Sequence, residues 1–297
     1  MKRKYIFSTG IIGILCMILS QFSFSLNDSL VKLIVLESTN QLSLLNVIFV
    51  RGLFTTFFIF IYLKIIEKKR LIIIVKNFPY HKRGFFEVLT AVCFLSGLIL
   101  LPFAEVYTLL MTNPFFVTIF AYLFLKEKVG IRRLIAIIIG FIGVLIVVNP
   151  NKSDFNFFFI LPISAAVFLT IRDITTKNIA NKNNSFEIIF ITSLLMTLFS
   201  GFGSLFVEFS IELKSFLKLI LSSIFLSIAY LLSVLTIFYA PLSLTASSRY
   251  SVVIFGIFFG YVFFGEQPTN NMIIGASIII ASGMFVIQRE KKLGKIK

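Results

Sequence analysis

Residues 134–148 read LIAIIIGFIGVLIVV, an unbroken run without one charged or hydrogen-bonding side chain. Arg132 and Arg133 stand before it, Asn149 and Pro150 after it. With its flanks, 131–149, the run approaches the roughly 20 residues that a helix needs to cross a bilayer. Nine further apolar stretches accompany it, at about 6–26 (continuing to about 35), 42–63, 84–101, 104–125, 156–176, 186–206, 215–237, 242–264 and 270–288. Hydrophobic residues are 58% of the 297 and charged residues 14%, and no soluble core of this size hides ten such segments. Their Ile, Val and Phe favour strands in water. Length overrides that preference, because barrel strands are about 10 residues with polar alternation and an open sheet edge cannot lie in hydrocarbon. The predicted fold class is an all-α polytopic membrane protein with ten transmembrane helices.

The net charge of +15 is a topology signal rather than a nucleic-acid footprint. With both ends in the cytoplasm, 21 Lys and Arg fall in the tails and the loops of that side, and only Lys152, Lys214 and Lys218 fall opposite. The reading is a multi-pass inner-membrane protein with both termini cytoplasmic, and no nucleic-acid partner. Met1-Lys2-Arg3-Lys4 runs straight into an apolar stretch with no small-x-small cleavage site behind it, which predicts a retained first helix. Cys16 and Cys93 both sit in apolar segments and read as small buried hydrophobes. The single histidine, His81, lies in a basic loop beside Lys82 and Arg83. There is no HExxH, no paired-acid motif and no GxxxxGK[ST], so no cofactor, no metal and no enzymatic activity are expected.

The chain also echoes itself. Leu26-Asn27-Asp28-Ser29-Leu30-Val31-Lys32 closes span 1, and Ile171-Arg172-Asp173-Ile174-Thr175-Thr176-Lys177 closes span 6, with Asp and Lys repeated at an offset of 145. Pro102, Phe116, Phe120, Tyr122, Phe124 and Glu127 recur as Pro241, Phe255, Phe259, Tyr261, Phe263 and Glu266 at an offset of 139. Residues 1–150 and 151–297 thus read as two five-helix repeats. Five is odd, so the second copy must lie inverted relative to the first, an arrangement suited to alternating access.

The stretch Leu101-Pro102-Phe103-Ala104-Glu105, then Asn113-Pro114, Phe124-Leu125-Lys126-Glu127-Lys128-Val129, Gly140-Phe141-Ile142-Gly143-Val144-Leu145 and Asn149-Pro150, resembles the first repeat of an EamA-type permease of the drug/metabolite transporter superfamily. Pro241, Arg249-Tyr250, Gly265-Glu266 and Gly275 carry the likeness through the second half. The resemblance implies two inverted five-helix repeats around a central cavity built mostly by spans 1, 3, 4, 6, 8 and 9. Arg249-Tyr250, Gly265-Glu266 and Asn27-Asp28 with Lys32 look most like the S-adenosylmethionine uptake carriers of intracellular bacteria. That likeness implies a small-molecule substrate, zwitterionic or carrying a carboxylate, taken up in exchange for S-adenosylhomocysteine. Export of amino acids or related metabolites is the alternative. An integral-membrane enzyme would need clustered acids, histidines or metal ligands that this chain lacks, and a structural protein without flux is the remaining alternative. A monomer in the lipid bilayer is the default assembly.

An ionised group in hydrocarbon costs roughly 2.5–3.5 kcal/mol or more, so each deep charge must be paired, wet or near an interface. Arg249 falls about eight residues into span 9 and reads either as an anion anchor in the cavity or as one half of an ion pair. Asp28 with Lys32 and Asp173 with Lys177 have the i,i+4 spacing of helix-end or gating pairs. Arg172 is expected to snorkel to the cytoplasmic headgroups, Arg51 to point into the protein, and Glu87 to meet Lys82, Arg83 or Arg51. Glu105 is expected to cap the start of span 4. Pro114 removes a backbone donor in mid-span and should kink the helix beside Asn113. Tyr107, Asn113, Tyr230 and Tyr250 are the polar groups expected on the substrate, with Ser233, Tyr239 and Ser247 as further lining. Gly140, Gly143 and Gly275 are expected at close helix contacts.

Overall fold

A backbone without water must satisfy its own polar groups, and a helix does so within one segment. The computed structural model describes residues 2–37, 43–113, 115–117, 119–120, 131–148, 156–179, 184–209, 211–239 and 249–292, and among these it holds helices and no strand. The helices are α1 (Lys2–Glu37), α2 (Leu44–Ile61), α3 (Leu71–Val75), α4 (Phe78–Leu100), α5 (Phe103–Leu110), α6 (Ile131–Val148), α7 (Ile160–Ile179), α8 (Ser185–Ser204), α9 (Leu213–Tyr239), α10 (Ser251–Phe264) and α11 (Asn270–Lys292). Among the described residues, six segments are long and apolar enough to cross a membrane: Ile12–Glu37, Leu44–Ile66, Phe78–Leu100, Phe157–Thr176, Ser185–Ser204 and Leu213–Thr236. Shorter apolar helices cover Ile138–Val147, Ser251–Phe264 and Asn270–Ser282.

Local chemistry sets the ends. Ser43 caps α2 by accepting the Leu45 N–H at 3.2 Å. The chain leaves α2 through a π-helical turn, Tyr62–Ile66, and Lys68 then takes a left-handed φ of 51° before the short α3. Ile72 and Ile73 of α3 are exposed, so the apolar run 71–75 lies on the surface of the bundle. Pro102 cannot continue α4 and instead opens α5. α1 continues to Glu37, the longer of its two expected ends, and this carries Asp28 and Lys32 inside the helix.

Two expected helices differ from their reading. α5 tightens at Met111, where the N–H reaches both Tyr107 O (3.3 Å) and Thr108 O (3.2 Å), and Thr112 N–H returns to Leu109 O at 3.0 Å. The next residues are Asn113 and Pro114, and the residue before a proline is disfavoured in the helical region. Pro114 itself lies outside the described residues. Arg249 and Tyr250 directly precede α10 rather than sitting within it.

The main contacts run between distant parts of the chain. α1 packs along α9, α4 along α7, α2 along α8 and α6 along α11. Smaller contacts join α4 with α8, α2 with α9, α1 with α10, α5 with α7 and α5 with α10. Serines, threonines and charged groups fill buried positions on several helices, while Leu15, Leu19, Phe57, Phe85, Phe141, Leu198 and Phe202 are exposed. That is the distribution expected where lipid, not water, meets the outside. Arg172, expected at the headgroups, is instead buried inside the bundle, because acidic partners on α4 and α7 hold it there.

α6 and α11 meet through glycines. A Cβ on Gly275 would stand 2.6 Å from Gly143 O and 2.4 Å from Val147 Cγ2, and one on Gly143 would stand 2.9 Å from Gly275 O. These backbones can approach only because both side chains are hydrogen, the usual device where no hydrophobic force draws helices together. Gly275→Leu should therefore force α6 and α11 apart. The expected cost is about 1–3 kcal/mol, read as a fall in the thermal unfolding midpoint in detergent, and an unchanged midpoint would show that the contact does not hold the helices.

Candidate functional site

Three polar layers cross the bundle interior. The first lies where α1, α4 and α10 finish. Lys32 Nζ donates to Leu101 O at 3.0 Å and to Glu266 Oε1 at 2.9 Å, and Glu266 Oε2 accepts the Phe103 N–H at 2.7 Å. The ammonium also lies 4.7 Å from the Phe264 ring centroid and 5.8 Å from that of Phe103. Gly265 makes the geometry possible. Its φ of 63° turns the chain off α10, and Glu266 N–H donates back to Gly260 O at 3.1 Å. The expected Asp28–Lys32 pair is thus not the one Lys32 makes. Its long stem reaches the helix ends, where a carboxylate and an open carbonyl wait.

The second layer surrounds Asp28, in the middle of α1's second half. Asp28 Oδ2 accepts the Tyr107 hydroxyl at 2.6 Å and Oδ1 accepts the Asn27 amide at 2.7 Å. Arg51 approaches from α2, its Nη1 4.0 Å from Asp28 Oδ1 and 3.3 Å from Asn27 Oδ1. Asn27 Oδ1 is already shared with the Ser222 hydroxyl at 2.7 Å. Arg51 is 4% exposed, and its Nε has no hydrogen-bond partner among the described residues.

The third layer lies toward the start of α4. Glu87 accepts Arg172 Nη1 at 3.0 and 3.1 Å and pairs with Arg83 Nη2 at 3.1 Å. Asp173 accepts Arg172 Nη2 at 2.7 Å on one oxygen and Arg249 Nη1 at 2.5 Å on the other. Such charge-assisted bonds are the strong ones, and removing one partner of a buried pair strands the other. Glu87 therefore meets Arg83, one of its three expected partners, and also Arg172. Arg249 meets Asp173 rather than open space. Asn113 donates to Thr170 Oγ1 at 2.9 Å and stands 3.5 Å from Arg249 Nη1, tying α5 to α7. Tyr230 is 3.4 Å from Glu87. Tyr250 is buried and its hydroxyl has no partner among the described residues. The Lys177 side chain lies outside those described.

A cavity of about 100 Å³ lies between the second and third layers. Asp28, Arg51, Glu87, Tyr107, Arg172, Tyr230 and Arg249 border it, together with Phe24, Phe94 and Leu226. It holds a few waters and is well below the ~300–1,000 Å³ of metabolite pockets, so a cargo enters only if helices separate. A wider groove of about 610 Å³ runs along the outside of α2 and α8, lined by Phe49, Leu53, Phe57, Phe190 and Phe202. Its nearly all-apolar walls suit lipid chains and offer no chemistry. Of the expected lining residues, Tyr107, Tyr230, Ser233 and Arg249 border the inner cavity, whereas Asn113 and Tyr250 are buried without bordering it. Arg51 and Glu87, read from sequence as structural, line it directly. The signal for them was the cost of placing any ionised group so deep.

Residues 11–149 and, separately, 156–288 match the EamA-like transporter family. A riboflavin transporter of Vibrio cholerae is 29% identical over 192 residues, 64% of this chain and 64% of its own length. The chain thus spans slightly under two thirds of that relative. The pseudopaline exporter CntI of Pseudomonas aeruginosa is 23% identical over 290 residues, covering 94% of this chain and 97% of the exporter. An S-adenosylmethionine uptake transporter of Rickettsia conorii is 28% identical over 199 residues, 66% of this chain and 67% of its own. One solved crystal structure shares the fold at a TM-score of 0.64 and 15% identity, covering 96% of this chain and 98% of that one. A polytopic helical body with ionised groups gathered around an internal cavity, and two family matches that together span nearly all of it, make this chain a member of the EamA-like transporter family.

Proposed function

We propose that this chain is a secondary carrier of ten transmembrane helices in two inverted repeats, 1–150 and 151–297, which moves a small metabolite across the inner membrane by alternating access. The observation that carries this reading is the charged cavity between the helices, too small to take a metabolite without movement. The helix contacts support the duplication. Exchanging α1 with α7, α2 with α8, α4 with α9, α5 with α10 and α6 with α11 turns the main contacts into one another: α1·α9 becomes α7·α4, α4·α8 becomes α9·α2, and α1·α10 becomes α7·α5. Asp28 and Asp173, repeat-related by sequence, bind side chains from spans 4 and 9, Tyr107 within α5 and Arg249 just before α10.

Arg249, Tyr250, Asn113, Tyr107 and Tyr230 form or back the cargo chamber in this reading. Asp28 and Asp173 are the acids whose partners change as it opens, and Lys32–Glu266 fastens one end. The distribution of Lys and Arg supports both termini in the cytoplasm. Relatives named for riboflavin, pseudopaline and S-adenosylmethionine differ widely in chemistry, so the scaffold alone does not choose the cargo. S-adenosylmethionine entering against S-adenosylhomocysteine is one candidate. Export of an amino acid or related metabolite is the second, supported by the full-length match to an exporter.

Reporter fusions at the two ends should report the same, cytoplasmic, face, and opposite faces would break the inverted duplication. Proteoliposomes with and without trapped S-adenosylhomocysteine should show saturable S-adenosylmethionine uptake stimulated by the trapped compound if the first candidate holds. Saturable flux of amino acids alone would select the second. Arg249→Ala removes one of the two guanidiniums on Asp173 and should lower flux at least tenfold while insertion persists. Unchanged flux would remove Arg249 from the cargo path.

A further inference from the structure

The ionised groups around the cavity do not balance. Arg51, Arg83, Arg172 and Arg249 face Asp28, Glu87 and Asp173 among the described residues. Among the described residues one positive charge is therefore in excess, and protonating any of the three acids enlarges that excess. The imbalance does not fall evenly. Arg83, Arg172 and Arg249 each have a carboxylate oxygen within 3.1 Å. Arg51 only approaches Asp28 at 4.0 Å, and its Nη1 donates instead to Asn27 Oδ1 at 3.3 Å, while Tyr107 and Asn27 donate to the carboxylate at 2.6 and 2.7 Å. Its buried Nε has no partner among the described residues, and the side chain borders the cavity. A guanidinium with an open donor in a low-dielectric chamber is a fork awaiting an oxyanion.

We propose that the cavity binds an organic anion through a carboxylate held on Arg51, with the apolar or aromatic body of the cargo against Phe24, Phe94 and Leu226. This rests on the carrier reading and deepens it. The three acids already accept from guanidiniums, a tyrosine or an amide, so a cargo ammonium would have to compete for them. The chamber therefore favours a net-negative cargo over S-adenosylmethionine, whose ammonium and sulfonium would add positive charge to a positive site.

Full-length protein in dodecyl maltoside, unfolding followed by a thiol-reactive dye at Cys16 and Cys93, tests this with three probes that share one side chain. They are N-acetyl-L-methionine (an anion), L-methionine (a zwitterion) and L-methionine methyl ester (a cation). The anion should raise the unfolding midpoint most and the ester not at all. Arg51→Gln should abolish the anion's shift, and Arg51→Lys should keep the preference with at least tenfold weaker affinity. Equal shifts from anion and ester, or an undiminished shift in Arg51→Gln, would overturn the assignment. Should none of the probes move the wild-type, the ligand-free proteins decide. Arg51→Gln melting at or above wild-type supports an uncompensated charge kept for a ligand, whereas a fall of several degrees makes Arg51 a structural partner of Asp28 and ends the proposal. Transport of S-adenosylmethionine unaffected by Arg51→Gln would leave the carrier standing and remove only the anion site.

Discussion

Ionised side chains cannot lie loose in hydrocarbon, and that constraint organises this bundle. Arg172 illustrates it. Held between Glu87 of α4 and Asp173 of its own α7, it joins two helices that no apolar contact in lipid would specify so closely. Asp173 passes the connection to Arg249 and so to the start of α10, and Asn113 adds α5. The helices that border the cavity are thus fastened by directional bonds, while glycine-mediated contact suffices for α6 against α11 at the periphery. Buried pairs of this kind repay their desolvation only with good geometry. The chain provides it with planar guanidiniums that bridge two carboxylates.

Polar fastening has a second consequence. Packed apolar surfaces in lipid separate at little cost in hydrophobic energy, since lipid tails replace them. Ion pairs that can exchange partners offer discrete alternatives instead of gradual loosening. Lys32 on Glu266 closes the end of the bundle where α1, α4 and α10 terminate. Under the proposed duplication, the offsets of 145 and 139 relate these two positions in sequence to Lys177 and Glu127. Alternating access requires two arrangements of similar energy, which related fasteners would supply.

The likeness to other transporters fits this division of labour. The fold is shared with a solved structure at 15% identity, and relatives at 23–29% identity are named for unlike compounds. The scaffold supplies movement and a dry wall, and a few charged groups facing the cavity choose the cargo. In this chain the charged and polar groups that border the cavity include Arg51, Glu87, Arg249, Asp28 and Tyr107.

Hydrophobic length and the placement of Lys and Arg are local quantities, so the helical, membrane-spanning character of the chain was legible from residues alone. The internal echo of Asp28 and Asp173 was legible for the same reason, and so was the close approach at Gly143 and Gly275, which needs only small residues on an apolar helix. Partnership was not. An i,i+4 spacing placed Lys32 beside Asp28, yet a flexible four-carbon stem let it find Glu266, 234 residues away in sequence. Arg172 could have reached water by snorkelling, and only the tertiary position of Glu87 made burial cheaper. Arg51 and Arg249 look alike as isolated arginines in apolar segments. What separates them is distance: Arg249 Nη1 stands 2.5 Å from Asp173, while Arg51 Nη1 stays 4.0 Å from Asp28 and bonds Asn27 instead. Charge pairing depends on distances between helices, and those distances exist only once the bundle has assembled.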